Sequence, residues 1–260
     1  MATIPREALD YVTREINGVS EQAQRQVMLV LEQIDWSDIT AAREIVVQAV
    51  QMALSNATTL AAQASADFYD ASRTLCIGEA MGAVAISGYE PEKTDRAIRS
   101  FVRFVERGEV EKFNDQVLQR MDYEVKRSAG NSMFRNGAND TRHPKFARVP
   151  QGSETCDFCL MLASRGFVYS SKMSAGGVKL DHYHSGCFCR VVAGWDGDDV
   201  EGYDTDEIYD RWQSSIDAIA TERAEKRGTT VEEERSKIML GYANSAKNAK
   251  KLAKAGASKA

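Results

Sequence analysis

Apolar residues recur at helical spacing through the first half of the chain. Leu9, Val12, Ile16 and Val19, then Val27, Val30, Leu31 and Ile34, predict a helix over about residues 6–34, with Gly18 as a candidate break into two pieces. Asp35-Trp36-Ser37-Asp38 reads as a turn that supplies the N-cap of the next helix. From Ile39 to about Ile77 the pattern is long and alanine-rich: Ala42, Ile45, Val46, Ala49, Val50, Ala53, Leu54, Ala57, Leu60, Ala61, Ala64 and Phe68 share the periodicity. Small residues on such a stripe let a neighbouring helix approach closely, which is scaffold behaviour and not a cofactor box. Gly78–Pro91 is expected to be a glycine-dotted connection with room for one short helix, and Pro91 suits a first helical turn. Ile98, Phe101, Val102 and Val105 then form a stripe that Gly108 ends. A further helix carries Val110, Phe113, Val117, Leu118, Met121, Tyr123 and Val125, with Lys112, Arg120, Lys126 and Arg127 on its outer face. Gly130-Asn131, Asn136-Gly137 and Asn139-Asp140 punctuate the chain after Val125, so a domain boundary is placed near residue 140.

Beyond that point the pattern changes. Thr141–Pro150 is basic and held extended by its prolines, with Phe146–Val149 as a strand. Arg190-Val191-Val192-Ala193 is a second strand. His143 precedes a proline in a solvated stretch and is read as an exposed loop residue. The run Asp196, Asp198, Asp199, Glu201, Asp204, Asp206, Glu207, Asp210 lacks the spacing of a calcium loop and is read as a solvated acidic linker. Asp206 is expected to cap a helix with Ile208, Trp212, Ile216 and Ile219. Gly228 separates it from a last helix starting near Val231, and Lys247, Lys250, Lys251 and Lys254 mark a basic tail. The expected architecture is mainly α: an N-terminal helical bundle (1–140), a small α+β zinc-knuckle module (141–195), and an acidic linker with a helical, Lys-rich tail (196–260).

Composition narrows the functional classes. Hydrophobic residues make up 43% and charged residues 27%, ordinary values for a globular protein with room for a core. A net charge of −5 argues against a strongly basic nucleic-acid binder as a description of the whole chain. No uninterrupted apolar run approaches the ~18 residues of a membrane span, and the first residues lack the signature of a signal peptide. The chain is therefore expected to stay in a reducing cytoplasm, where closely spaced cysteines bind metal more readily than they form disulfides. Cys76, remote in a helical pattern, is expected to be a buried small apolar residue.

The remaining four of the five cysteines and two of the three histidines fall between Cys156 and Cys189. Cys156-Asp157-Phe158-Cys159 places two thiolates where one turn presents both to one ion. His184-Ser185-Gly186-Cys187 repeats the spacing, which gives C-x-x-C…H-x-x-C, a tetrahedral zinc set. Cys189 competes for a place, because residues two apart in an extended segment face the same way. His182 is a weaker candidate. Two knuckles fill four positions, leaving none open for catalysis. The deaminase signature H-x-E is absent, and Asp157 and Asp181 sit in no catalytic pattern, so the site reads as structural zinc in a non-enzyme. Residues 141–195 hold few aliphatics, so the metal is expected to be decisive for that region.

The ordered combination of these residues resembles a known family. Phe146-Ala147-Arg148-Val149-Pro150, then Thr155-Cys156-Asp157-Phe158-Cys159-Leu160-Met161-Leu162-Ala163-Ser164-Arg165-Gly166, Val168-Tyr169, and His184-Ser185-Gly186-Cys187-Phe188-Cys189-Arg190 look like the MuF-like minor head proteins of tailed bacteriophages, in the form found with actinobacterial hosts. The similarity covers about residues 146–192. It implies a cysteine pair at the start of a short helix, metal or knuckle roles for Cys156, Cys159, His184, Cys187 and Cys189, and support from Arg148 and Arg165. The Asp181-His182 pair beside His184 is less typical of the pattern. The resemblance further implies a virion protein near the portal inside the head, acting in head assembly and DNA packaging or delivery, with portal and capsid subunits as partners. The Lys-rich tail would touch packaged DNA, and no membrane partner is expected. The alternatives are a zinc-knuckle nuclease or phage-encoded toxin, which needs an open metal position among His143, His182 and His184, and a zinc-dependent DNA-binding module, which the net acidic charge disfavours.

Overall fold

The computed structural model describes residues 2–152, 155–170, 189–195 and 197–243. Four long helices come first: α1 (Arg6–Gln33), α2 (Ile39–Ile77), α3 (Pro91–Val105) and α4 (Val110–Asn139). After them come strand β2 (Lys145–Pro150), helix α5 (Asp157–Ala163), strands β3 (Cys189–Gly194) and β4 (Asp199–Val200), helix α6 (Thr205–Arg227) and a helix α7 over 231–243; β1 (Thr3–Ile4) precedes α1. The chain forms two compact units. One contains Glu7–Asn139, and the other combines Met1–Arg6 with most of the chain from Asp140 onward.

In the helical unit the apolar period is realised closely. α1 is unbroken, and Leu9, Val12, Ile16, Ser20, Ala23, Val27 and Leu31 are its buried face. Gly18 does not split it: nothing lies within 4 Å of where its side chain would be, and one glycine costs an otherwise well-patterned helix only about 1 kcal/mol. Asp38 caps α2, its carboxylate accepting from the Thr40 and Ala41 amides at 3.0 Å each, and Gly78 closes it with φ 86°. α2, α3 and α4 pack on one another around Val46, Val50, Leu54, Ala61, Tyr69, Ile98, Phe113, Val117 and Met121. Ser20 and Gln24 of α1 reach the Asp122 carboxylate (3.0 Å) and the Leu118 carbonyl (3.2 Å) on α4. α2 carries no charged residue from Ile45 to Ala66. By length and composition it is apolar enough to cross a membrane, with an 18-residue window of mean hydropathy 1.3, although Gln48, Gln51, Ser55 and Asn56 interrupt its apolar run. The core helix of a bundle meets the same criterion.

Three other expectations are corrected in this unit. α4 runs straight through Gly130-Asn131 and Asn136-Gly137, which are helical and mostly buried. Lys126 and Arg127 are not on an outer face; each is 6% exposed, paired with Asp122 at 2.8 Å and Glu124 at 2.8 Å respectively. Cys76 is half-buried at the end of α2, not in the core.

No helix forms between Gly78 and Pro91. Residues 79–90 run as a strap whose peptide groups are held by side chains. Asp70 accepts from the Met81 (2.9 Å) and Ala83 (2.7 Å) amides, and Arg73 donates to the Glu79 carbonyl (2.7 Å). From α4, Asn136 pairs with both the amide and the carbonyl of Val84 at 2.9 Å each. Asn131 and Arg127 donate to the Ser87 (2.9 Å) and Gly88 (3.0 Å) carbonyls. The turn-forming asparagines of α4 thus stay helical with their side chains turned to the strap instead of to their own backbone.

In the second unit β2 and β3 pair antiparallel in register from Lys145↔Gly194 to Pro150↔Cys189, and Phe146 exchanges both backbone hydrogen bonds with Tyr169. Gly194 is required by packing: a side chain there would stand 2.7 Å from the Phe167 ring. β1 pairs parallel with β4, Ile4 is 1% exposed, and the Ala2 amide donates to the Asp198 carboxylate at 2.9 Å. The acidic stretch is therefore built into β4 and the start of α6 and is no mere linker, although Asp199, Glu201, Asp204, Asp206, Glu207 and Asp210 are exposed as expected. Asp198 is buried and also accepts from the Trp195 amide (2.9 Å), while Asp204, not Asp206, caps α6. The unit also has more core than residues 141–195 alone would supply. Ile4, Val200, Tyr203, Ile208, Trp212 and Ile216 join Phe146, Val149, Leu160, Val192 and Trp195.

Candidate metal centre

α5 is one element on which the cysteine chemistry rests. Cys156 is its N-cap, in extended backbone (φ −66°, ψ 155°), and its carbonyl accepts from the Leu160 amide at 2.9 Å. Cys159 lies one turn on, 1% exposed. Cys189 opens β3 opposite Pro150 and is fully buried. Their sulfurs lie 3.3 Å apart and are not joined as a disulfide. Two thiolates held 2.3 Å from one tetrahedral ion stand ~3.8 Å apart, so the pair sits within about half an ångström of a shared-ligand geometry. Cys156 is half-buried. Among the described residues, no group of three or more His, Cys, Asp and Glu side chains converges. His184 and Cys187, with Asp181 and His182, lie outside the described residues, as does the Lys-rich tail from Lys247 onward. The donors that are placed fit a soft metal: two thiols side by side in an apolar interior, a third at the helix start.

Neighbouring groups fix α5 at both ends. The Tyr169 hydroxyl donates to the Leu162 carbonyl at 2.7 Å and the Tyr203 hydroxyl to the Ala163 carbonyl, so two tyrosines satisfy the last turn of a seven-residue helix. At the other end the Ser215 hydroxyl of α6 donates to Asp157. Tyr242 of α7 stacks edge-on against Trp212, ring centroids 6.0 Å apart. Burial, then the charges of Asp157 and Cys156, raise its pKa. The sequence signalled none of these tyrosine and serine roles, because a hydroxyl reaching a distant carbonyl leaves no periodic trace. Arg148 is buried on β2, whereas Arg165 is exposed; both lower, by their charge, the pKa of Tyr169. His143 is exposed, in a turn with φ 47°.

Burial dominates the Tyr169 hydroxyl and pushes its pKa from 10.0 up to about 12; burial also raises Tyr203 strongly. The folded state thus favours the protonated phenols. Their contribution to stability is complete below pH ~10, where the unfolded tyrosines are still neutral, and is lost as pH rises towards the folded values. For Tyr169 the loss amounts to ~3 kcal/mol by pH 12. An alkaline titration followed at the tyrosinate absorbance should show Tyr169 and Tyr203 ionising after the other tyrosines, together with loss of the β2–β3 structure. A titration in which all tyrosines ionise together near pH 10, with the fold intact, refutes this.

The sequence matches the family described as VG15 protein over residues 3–215, which takes in the helical unit, the cysteines and α6 as far as Ser215. The chain belongs to the VG15 protein family. VG15 is a phage virion-gene protein family, and this VG15 protein is accordingly a phage protein. Searches of curated proteins and of solved structures gave no match to this VG15 protein.

Proposed function

We propose that this VG15 protein is a structural minor head protein of a tailed bacteriophage, bound near the portal inside the head and acting in head assembly and DNA packaging or delivery. One observation carries the reading: the family match runs through both units, so the helical bundle and the cysteine module belong to one phage virion-associated protein. The MuF-like resemblance of residues 146–192 supplies the finer assignment. In this reading the role is structural and not catalytic. Cys156, Cys159, His184, Cys187 and Cys189 are the candidate ligands of one structural Zn2+. Support comes from the 3.3 Å approach of Cys159 and Cys189 and from the Cys-x-x-Cys at the start of α5. The amphipathic helices bind portal and capsid subunits by presenting exposed residues such as Tyr11, Leu29, Ile45 and Met52. The Lys-rich tail meets packaged DNA, and no membrane takes part. The protein resides in the virion, at the portal vertex of the capsid interior, and in the host cytoplasm during assembly.

The test is capture by the cognate portal protein. The wild-type chain should be retained by immobilised portal. The Cys156→Ser/Cys159→Ser form should be retained less if the zinc module contributes to the contact. Failure of the wild-type chain to bind either portal or major capsid protein refutes the reading.

A further inference from the structure

α3 presents a row of cations that the portal-bound reading does not use. The helix is strongly two-faced. Thr94, Ile98, Val102, Phe104 and Val105 are buried, and the opposite face carries Arg96, Arg99, Ser100, Arg103 and, just past the helix end, Arg107, all exposed. Arg99 is committed elsewhere, donating to both oxygens of Glu44 at 2.6 and 2.9 Å and pairing with Asp95 at 2.7 Å. Among the described residues no carboxylate pairs with Arg96, Arg103 or Arg107. Arg96 and Arg103 fall on one line, because a spacing of seven residues returns to the same side of a helix, and Arg107 follows in the turn after Val105. Arg103 is also ordered: its guanidinium lies 5.0 Å from the centroid of the buried Phe104 ring, and the Lys112 ammonium lies 4.6 Å from the same ring. In a chain of net charge −5, three unneutralised arginines are a local reversal of sign.

We propose that this exposed face of α3 binds the phosphate backbone of nucleic acid, with Arg96, Arg103 and Arg107 as the phosphate contacts. Charge complementarity with a linear polyanion is the argument. Arg96 and Arg103 stand roughly 10 Å apart along the helix axis, with Arg107 in the turn beyond. That is a row commensurate with a strand carrying one phosphate per ~3.4 Å of axis. Arginine suits the role because its planar fork donates two hydrogen bonds to a phosphate at once. A membrane surface fits less well. Interfacial helices expose the apolar side that they insert, and in α3 that side is closed against α2 and α4. The proposal does not depend on portal binding, nor on the Lys-rich tail.

The test uses the full chain and a labelled 30-base-pair duplex in fluorescence anisotropy at 50 and 200 mM salt. Three phosphate contacts give a slope of log K against log salt near −2.7, so α3 alone accounts for a ~40-fold loss between the two salt concentrations. Arg96→Gln/Arg103→Gln/Arg107→Gln should weaken binding at least ~10-fold at 50 mM and flatten the slope by ~3, with unchanged far-ultraviolet circular dichroism. The Arg→Lys triple variant should keep most of the slope, which a packing defect would not. The proposal is overturned if the Gln variant binds with wild-type affinity and slope, if only Gln substitutions at Lys247, Lys250, Lys251 and Lys254 abolish binding, or if the wild-type chain binds anionic phospholipid vesicles or a poly-glutamate peptide but not the duplex.

Discussion

Purified protein is expected to carry one zinc ion per chain, and removing it at neutral pH is expected to open the region around Cys159 and Cys189 while α1–α4 stay helical. Metal binding in small knuckles is folding free energy, with apparent values of roughly 10–16 kcal/mol at pH 7. Without the ion, two reduced thiols remain in a dry interior between α5 and the first residue of β3. The surrounding core of Ile4, Trp195, Val200, Tyr203 and Ile216 limits how far the damage spreads, so local opening and not wholesale unfolding is the outcome. Hydrogen exchange is the suitable readout. The amides of Leu160, Val191 and Val192 should exchange at least ~100-fold faster after chelation, equivalent to ~3 kcal/mol. Cys159→Ser should reproduce the effect without chelator. Elemental analysis showing a folded, metal-free protein with protection at these amides unchanged by chelator would defeat it.

The second large effect is expected at Glu124. Its side chain is fully buried, accepts from Thr94 at 3.3 Å, and faces both Arg127 (2.8 Å) and Arg120. Glu124→Ala leaves two guanidinium groups, one of them almost wholly buried, with their shared carboxylate gone. Removing one partner of a buried pair costs about 3–5 kcal/mol, far more than the pair itself contributes relative to an apolar substitute. At about 2–4 °C per kcal/mol, calorimetry should show the helical unit melting roughly 6–20 °C lower. Glu21→Ala provides the comparison. That glutamate meets Arg25 at 3.6 Å with both side chains more than 60% exposed, and its loss should shift melting by less than 2 °C. Equal shifts for the two variants would show that burial is not what matters at Glu124.

Much of this arrangement is legible in the residues. The bounds of α1 and α2 follow from their apolar period nearly to the residue, although Ile45 and Leu60 of the α2 stripe are exposed, and Asp38 announces the start of α2 by its chemistry. The strands around Phe146 and Val191 stand out because β-branched and aromatic residues cluster between prolines and glycines. The placed half of the cysteine motif is equally visible, since a Cys-x-x-Cys spacing is a local signal. What escapes is non-local. The C-terminal half of α4 reads as turns, because Gly130, Asn131, Asn136 and Gly137 are turn residues by propensity; in the helix, Asn131 and Asn136 instead give their side chains to the strap. Lys126 and Arg127 read as surface because their partners are carboxylates a turn away, and no periodicity reports burial of both. The Asp198 and Asp204 carboxylates read as solvated charge, yet each is consumed by a backbone amide nearby. β1 is two residues long and acquires its meaning only from β4, almost two hundred positions later.

That last pairing sets an order of events on the ribosome. Glu7–Asn139 is a complete unit inserted between the two parts of the other. The Ala2 and Ile4 carbonyls cannot meet the Asp199 and Glu201 amides until those residues have been made. At about 5–20 residues per second, the interval is roughly 10–40 s, long against the microseconds to milliseconds in which helical bundles form. The bundle therefore condenses while the leading strand is still unpaired. The second unit closes last, after β4 emerges and the loop between Ile4 and Asp199 has been tied off.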